Sequence, residues 1–350
     1  RVGLRGLHLS PAALVAVPDS GPLAGELGKT LSFDRLTGLA RLRPQGESWS
    51  LAVRDLAASI DGVDLPDLDL DLQLDRAGRP APRRLDLRIG ALDLGSLSRL
   101  VDVLPGARAP LVEALLRRSP RGKVTALGLF ADWPAGGQPR WRAGLAGEGL
   151  GLDALDGLPG FDGLGLVLSA DERGGTARLR STDLRLDLAP IFADVLKLDR
   201  FEGDLGWHRP GPGGWALAGD RLAIGNPDLT GRARFELEIP PPGAGAGPEL
   251  DLRAALSAGD ISRAGEYLPT GIMHPHLTGW LGRALVGGRL ERADLILRGP
   301  IGSFPFAEHE GRFEVTARVE DGTLDYLGAW PLITQASATL RFVNAGLGVE

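Results

Sequence analysis

The chain has 350 residues, 43% of them hydrophobic and 24% charged, with a formal net charge of −6. That apolar share supports a folded core, and the acidic balance argues against a nucleic-acid partner, whose affinity would come from a basic stripe. The absence of cysteine excludes disulfides, thiolate nucleophiles and cysteine-ligated zinc or iron–sulfur centres.

The sequence starts at Arg1 without an initiator Met and stops inside a strand-like pattern, so it reads as a piece of a longer protein. No run approaches the ~20 apolar residues of a membrane-spanning helix, and the start does not resemble a signal peptide. Residues 1–30 read as the tail of a preceding unit. A first hairpin is expected from Phe33-Asp34-Arg35-Leu36-Thr37-Gly38 to Trp49-Ser50-Leu51. Period-two alternation then places Leu68, Leu70, Leu72 and Leu74 on one strand face, with Asp67, Asp69, Asp71 and Gln73 on the other. Leu85, Leu87 and Ile89 repeat the pattern. Two short helices are expected over Leu97–Val103 and Ala109–Arg118, broken by Pro105-Gly106. Alternation returns at Leu164, Leu166 and Leu168, and at Leu184, Leu186 and Leu188; Ile191–Leu196 reads as a helical turn.

A second copy follows. Phe201-Glu202-Gly203-Asp204-Leu205-Gly206 opens another hairpin that ends near Trp215-Ala216-Leu217. Further strands are expected at Phe235, Leu237 and Ile239, at Leu295 and Leu297, and at Phe313, Val315, Ala317 and Val319, with a Pro/Gly-rich loop over 240–248. Helical segments are expected over Ile261–Tyr267 and Pro275–Val286, the latter with Leu277, Leu281 and Leu285 in an i, i+4, i+8 stripe. Leu85-Asp86-Leu87-Arg88 recurs as Leu250-Asp251-Leu252-Arg253, 165 residues later, and each copy runs through a Ser-Arg pair to a Leu-Pro break. A fixed period signals an array of similar units. We read units over 31–196, with helices near 96–118, and over 197–350, with helices near 261–286. One wet face and one apolar face per strand is the mark of antiparallel sheet, so the fold class is mainly β.

Candidate chemistry is sparse. His274 and His276 flank Pro275, but a metal site needs a third and fourth ligand, so they read as partly exposed polar residues. Asp64, Asp67, Asp69 and Asp71 have the spacing of a solvated strand face, and no neighbouring loop completes a calcium cage. There is no Gly-x-Ser-x-Gly elbow or phosphate loop. No enzymatic activity, cofactor or metal is expected. The apolar faces remain, and alternation alone leaves two readings: a closed core, or an open face available to acyl chains.

Residues 260–350 shift that balance. Tyr267-Leu268-Pro269, Trp280-Leu281 with Ala284-Leu285-Val286-Gly287-Gly288, Arg298-Gly299-Pro300, Phe304-Pro305-Phe306, Gly311-Arg312-Phe313 and Trp330-Pro331-Leu332 occur in an order that resembles the YhdP family of AsmA-like envelope proteins. The resemblance implies an elongated, curved antiparallel β-sheet groove built from repeated units with short helix pairs inserted. It also implies one continuous groove in the periplasm, attached to the inner membrane by an N-terminal helix outside this sequence. The implied cargo is phospholipid, moving between inner and outer membranes with its acyl chains against the leucine, isoleucine, valine and phenylalanine positions named above. Two other functions stay in view: a non-enzymatic structural or assembly factor of the outer membrane, and a carbohydrate-active β-solenoid enzyme working through Asp67, Asp69 or Asp71.

Overall fold

The alternating segments form strands, and every pairing between them described below is antiparallel. The computed structural model describes residues 2–4, 7–9, 31–60, 63–75, 83–96, 98, 110–135, 137–189, 191–211, 213–268, 270–271, 273, 275–304, 306, 308–327, 330–344 and 346–349. They fall into two compact units, Arg1–Asp153 with Gly165–Glu172, and Ala154–Leu164 with Arg173–Glu350.

In the first unit, β1 (Val2–Leu4) and β2 (Leu7–Leu9) both pair with β3 (Leu31–Gln45). The sheet continues through β4 (Ser48–Ile60), β5 (Val63–Asp75) and β6 (Arg84–Ile89), each pairing with the next. β6 and the short β7 (Leu92–Asp93) both pair with β8 (Arg121–Asp132), which pairs with β9 (Arg140–Leu152). β10 (Gly160–Asp171) contributes its second half to this unit and its first half to the other.

In the second unit the start of β10 pairs with β12 (Leu184–Asp187), which pairs with β13 (Leu196–Leu198). β11 (Gly174–Ser181) begins a long meander through β14 (Arg200–His208), β15 (Trp215–Gly225), β16 (Thr230–Ile239), β17 (Glu249–Asp260), β18 (Leu285–Pro300), β19 (Arg312–Leu324), β20 (Ile333–Val343) and β21 (Gly346–Val349). Among the described residues the strands belong to one hydrogen-bonded sheet, β9 also pairing with β10, and no pairing returns β9 to β3 or β21 to β11, so it does not close into a barrel.

The helical insertions sit between strands at equivalent places. Of the first pair, Leu97–Val103 lies outside the described residues apart from Ser98; a helical turn precedes it at 94–96, where Asp93 accepts a hydrogen bond from the Ser96 N–H at 2.7 Å. The second member is α1 (Pro110–Leu116). In the second unit a 3₁₀ helix spans Ile261–Tyr267, and Asp260 caps it by accepting from the Ser262 N–H at 2.9 Å. α2 (Pro275–Ala284) follows, ending two residues short of the expected Val286, and the chain enters β18 at Leu285. The 3₁₀ helix is clasped to the β15–β16 turn. Tyr267 donates to Asp228 (2.6 Å) and accepts from the Asn226 amide (2.7 Å), while Arg263 reaches Asp228 at 2.7 Å. Burial and the adjacent Asp228 carboxylate push the Tyr267 hydroxyl up to about 12.

No helix forms over Ile191–Leu196, contrary to expectation. The Asp187 carboxylate accepts from the Ala189 N–H, the Ile191 N–H bonds to the Leu188 carbonyl, and Leu196–Leu198 becomes a strand against Leu184–Leu186. Local polar capture of the turn defeats the apolar spacing there.

β-bulges of one kind, a glycine opposite two residues, recur in both units. Gly122 on β8 faces two residues of β9, Gly149 (φ 59°) and Leu150; Gly288 (φ 128°) on β18 faces Asp321 (φ 52°) and Gly322 on β19. Gly38 opposite Asp55–Leu56 and Gly203 opposite Arg221–Leu222 complete the set. Gly122 and Gly288 are 166 residues apart, Gly38 and Gly203 165. The extra residue on one strand kinks it and increases the local twist, so the bend recurs with the sequence period. At Gly122 (φ 98°) a Cβ would lie 2.3 Å from the Gly149 carbonyl oxygen, and only glycine fits.

Candidate functional site

Residues directly opposite in an antiparallel pair share a face, so the register can be read as rungs across each unit. In the first unit one rung is Leu42, Leu51, Leu72, Leu87, Leu129 and Ala143. The rungs on either side are Ala40, Val53, Leu70, Ile89, Leu127, Leu145 and Pro44, Trp49, Leu74, Leu85, Ala131, Trp141. The second unit repeats the arrangement, with one rung of Ala177, Leu205, Gly219, Phe235, Leu252, Leu297 and Phe313. The next rung is Leu222, Ala233, Ala254, Leu295, Val315 and Phe342. The register brings Leu70, Leu72 and Leu74 directly against Ile89, Leu87 and Leu85.

Rung members range from buried (Ala131, Ala177, Leu222) to exposed (Leu42), but the apolar positions singled out by alternation are nearly all half covered. Leu68, Leu70, Leu72, Leu74, Leu85, Leu87, Ile89, Leu164, Leu166, Leu168, Leu186, Leu188, Phe235, Leu237, Ile239, Leu295, Leu297, Phe313 and Val315 are all half-buried. Leu184 is the exception at 0% exposure, so it packs rather than presents a surface. Leu188 lies just past β12. In a closed sandwich the inner-face leucines would be buried by a second sheet; here the neighbours along and across the strands cover them in part.

The opposite face is charged. Asp71 takes both oxygens to Arg54 (2.7 and 2.8 Å), Asp204 accepts from Arg178 and Arg221, and Arg292 pairs with Asp294 at 2.7 Å. Glu314 is buried between Arg312 and Arg341, and the hydrogen bond from Arg312 is the main reason its carboxyl sits below the usual carboxylate range. The hydrogen bond from Arg178 lowers Asp204 in the same way.

The acidic run is absorbed by this ionic face. Asp69 accepts from the bulge N–H of Asp55 (2.9 Å), Asp71 is held by Arg54, and Asp64 is exposed beside Arg35. The side chain of Asp67 and all of His274 lie outside the described residues; His276 is exposed in the first turn of α2. Among the described residues no three His, Asp or Glu side chains group to hold a metal, and no helix is long and apolar enough to cross a membrane. Sequence reasoning missed Phe306, which is fully buried, has φ 61° and is held by the Asn344 amide on its carbonyl at 3.0 Å. With Phe304 and Phe313 it forms an edge-to-face cluster at the strand ends, with centroids 5.8 and 5.2 Å apart.

An open antiparallel sheet with one apolar, half-covered face and one ion-paired face defines the class: a mainly β repeat protein whose largest shared feature is a surface rather than a pocket. A family model described as YhdP protein matches residues 15–350, and the chain belongs to that family. It is 26% identical over 327 residues to the intermembrane phospholipid transporter YhdP of Escherichia coli (strain K12), an alignment covering 92% of this chain and 25% of that protein. The chain thus spans about a quarter of the length of the curated relative it matches. No solved structure matches.

Proposed function

We propose that this chain is a segment of a lipid-conducting groove, in which the apolar rungs carry the acyl chains of phospholipids travelling between the inner and outer membranes. The observation that carries the reading is the half-exposure of the candidate leucines, isoleucine, valine and phenylalanines in register across each unit. Similarity to a protein named as an intermembrane phospholipid transporter supports it. Each methylene removed from water is worth about 0.8 kcal/mol, so acyl chains gain affinity without specific polar contacts, and non-directional contacts let them slide. Charged headgroups stay in water, which avoids a large desolvation cost. Units over 31–196 and 197–350 then act as successive rungs of one conduit in the periplasm, attached to the inner membrane through an N-terminal helix, with transport toward the outer membrane. The role is conductive, not enzymatic.

Native mass spectrometry and solvent extraction of the purified chain test this reading. Phospholipid should be recovered in stoichiometric amount; a folded chain that carries none, and takes up none from vesicles of phosphatidylethanolamine and phosphatidylglycerol, rules the reading out.

A further inference from the structure

Five of the seven tryptophans stand at one end of the strands. In the first unit Trp49 and Trp141 occupy the same outermost apolar rung, and the Trp133 N–H continues that ladder by bonding to the Arg83 carbonyl at 2.8 Å. In the second unit Trp207 and Trp215 flank the β14–β15 hairpin on the apolar face, paired with Leu217 and Ile239. In both units this is the hairpin end, away from the bulges and helical insertions. Trp133 and Trp141 are 40% and 37% exposed.

The other end differs most clearly in the first unit. The first unit has no Trp or Tyr there. In the second, Trp280 is stacked edge-on against Tyr326 and donates its indole N–H to the Tyr326 carbonyl at 3.2 Å, while Trp330, 65% exposed, lies in the β19–β20 connection, off the strand rungs. Tyr267 is committed to Asp228. At the hairpin end, by contrast, the Arg209 guanidinium lies 4.7 Å over the Trp215 ring, with no carboxylate in ion-pair range among the described residues.

An indole has a broad apolar body and one N–H donor, so it settles where hydrocarbon meets hydrated polar groups. We propose that the hairpin end of each unit is the interfacial rim of the lipid path. There the tryptophans seat the glycerol and ester region of a diacyl phospholipid, Arg209 faces its phosphodiester, and the acyl chains run inward over the leucine rungs. This rests on the groove reading above and adds an orientation to it. The dimensions fit: an acyl chain occupies about half of the ~30 Å hydrocarbon core of a bilayer, and a ten-residue strand such as β16 spans about 33 Å. The terminal methyl therefore ends within the rungs.

Tryptophan quenching by nitroxide-labelled phosphatidylcholine tests the orientation. The Trp330→Phe chain is suited to it, because Trp330 is 65% exposed and its loss leaves five rim tryptophans and the packed Trp280. A nitroxide near the glycerol end of the acyl chain should cause a larger loss of emission than one at the terminal methyl. Adding Trp133→Phe and Trp141→Phe should shrink that difference. Equal quenching by the two labels, or stronger quenching from the methyl end, with labelled lipid still recovered from the protein, overturns the orientation and leaves the groove standing. No quenching by either label, and no lipid recovered, overturns both.

Discussion

Replacing Leu72 with Asp tests the working face most sharply, because Leu72 sits mid-rung between Leu51 and Leu87 and is half-buried. An acyl chain crossing the footprint of one leucine buries about three methylenes there, or about 2.4 kcal/mol. Losing that contact alone weakens lipid retention about 50-fold, and the unpaired carboxylate adds a desolvation cost. Because Leu72 is only half covered, the folding cost should be about 1 kcal/mol, roughly half the value of a fully buried leucine. Gln73→Asp is the matched control: it is the next residue in β5, exposed, and on the ionic face. Lipid bound per chain, measured by extraction and mass spectrometry after a dilution chase, should collapse for Leu72→Asp and stay near wild type for Gln73→Asp. Thermal melts should show both variants folded. If Leu72→Asp keeps its lipid while Gln73→Asp loses it, the face assignment is wrong.

Other outcomes follow from the same geometry. Gly122→Ala should cost about 2–3 kcal/mol, from strain at φ 98° and a contact at 2.3 Å, whereas Gly46→Ala, at φ 62° with open space around its Cβ, should cost only about 1 kcal/mol; thermal midpoints separate the two. Phe306→Ala removes a fully buried ring from the aromatic cluster and should cost about 3–5 kcal/mol in denaturant unfolding. In a Tyr326→Phe background, phenolate absorbance should report Tyr267 ionising near pH 12, and Asp228→Asn should lower that midpoint by removing the neighbouring charge. Since the folded pKa is raised above the ordinary value of 10, this clasp is fully stabilising below pH 10 and weakens as pH rises through 12.

Much of the sheet was legible because alternation is a direct image of the pleat. Leu68 to Leu74, Leu85 to Ile89 and Phe313 to Val319 all fall in strands, and both Phe-led phrases open the hairpins expected of them. α2 was legible from the Leu277 and Leu281 spacing, although the third member of the stripe, Leu285, opens β18 instead. The bulges were not. The left-handed positions are filled by Asp55, Arg221, Asp321 and Gly149; Arg221 gives no hint of a positive φ, and Asp residues are too frequent in this chain for two of them to mark it, so the glycines opposite carry most of the signal. In retrospect the recurrence of Gly38 and Gly122 as Gly203 and Gly288 marks the bends as part of the repeat. Ile191–Leu196 misled because apolar spacing over six residues cannot register the carboxylate of Asp187, which sets the turn before them. Alternation was also silent on whether a second layer covers the leucines, since that depends on contacts far apart in sequence.

Site-specific photo-crosslinking in living cells tests the central claim most directly. A benzophenone side chain placed in turn at Leu70, Leu72, Leu87, Leu237 and Leu297 should form adducts with phospholipid, while the same group at Gln73, Arg88, Glu236 and Arg298 should not. That every-other-residue pattern is the expected result. Adducts at both sets, or at neither, would contradict an apolar sheet face as the path of the lipid.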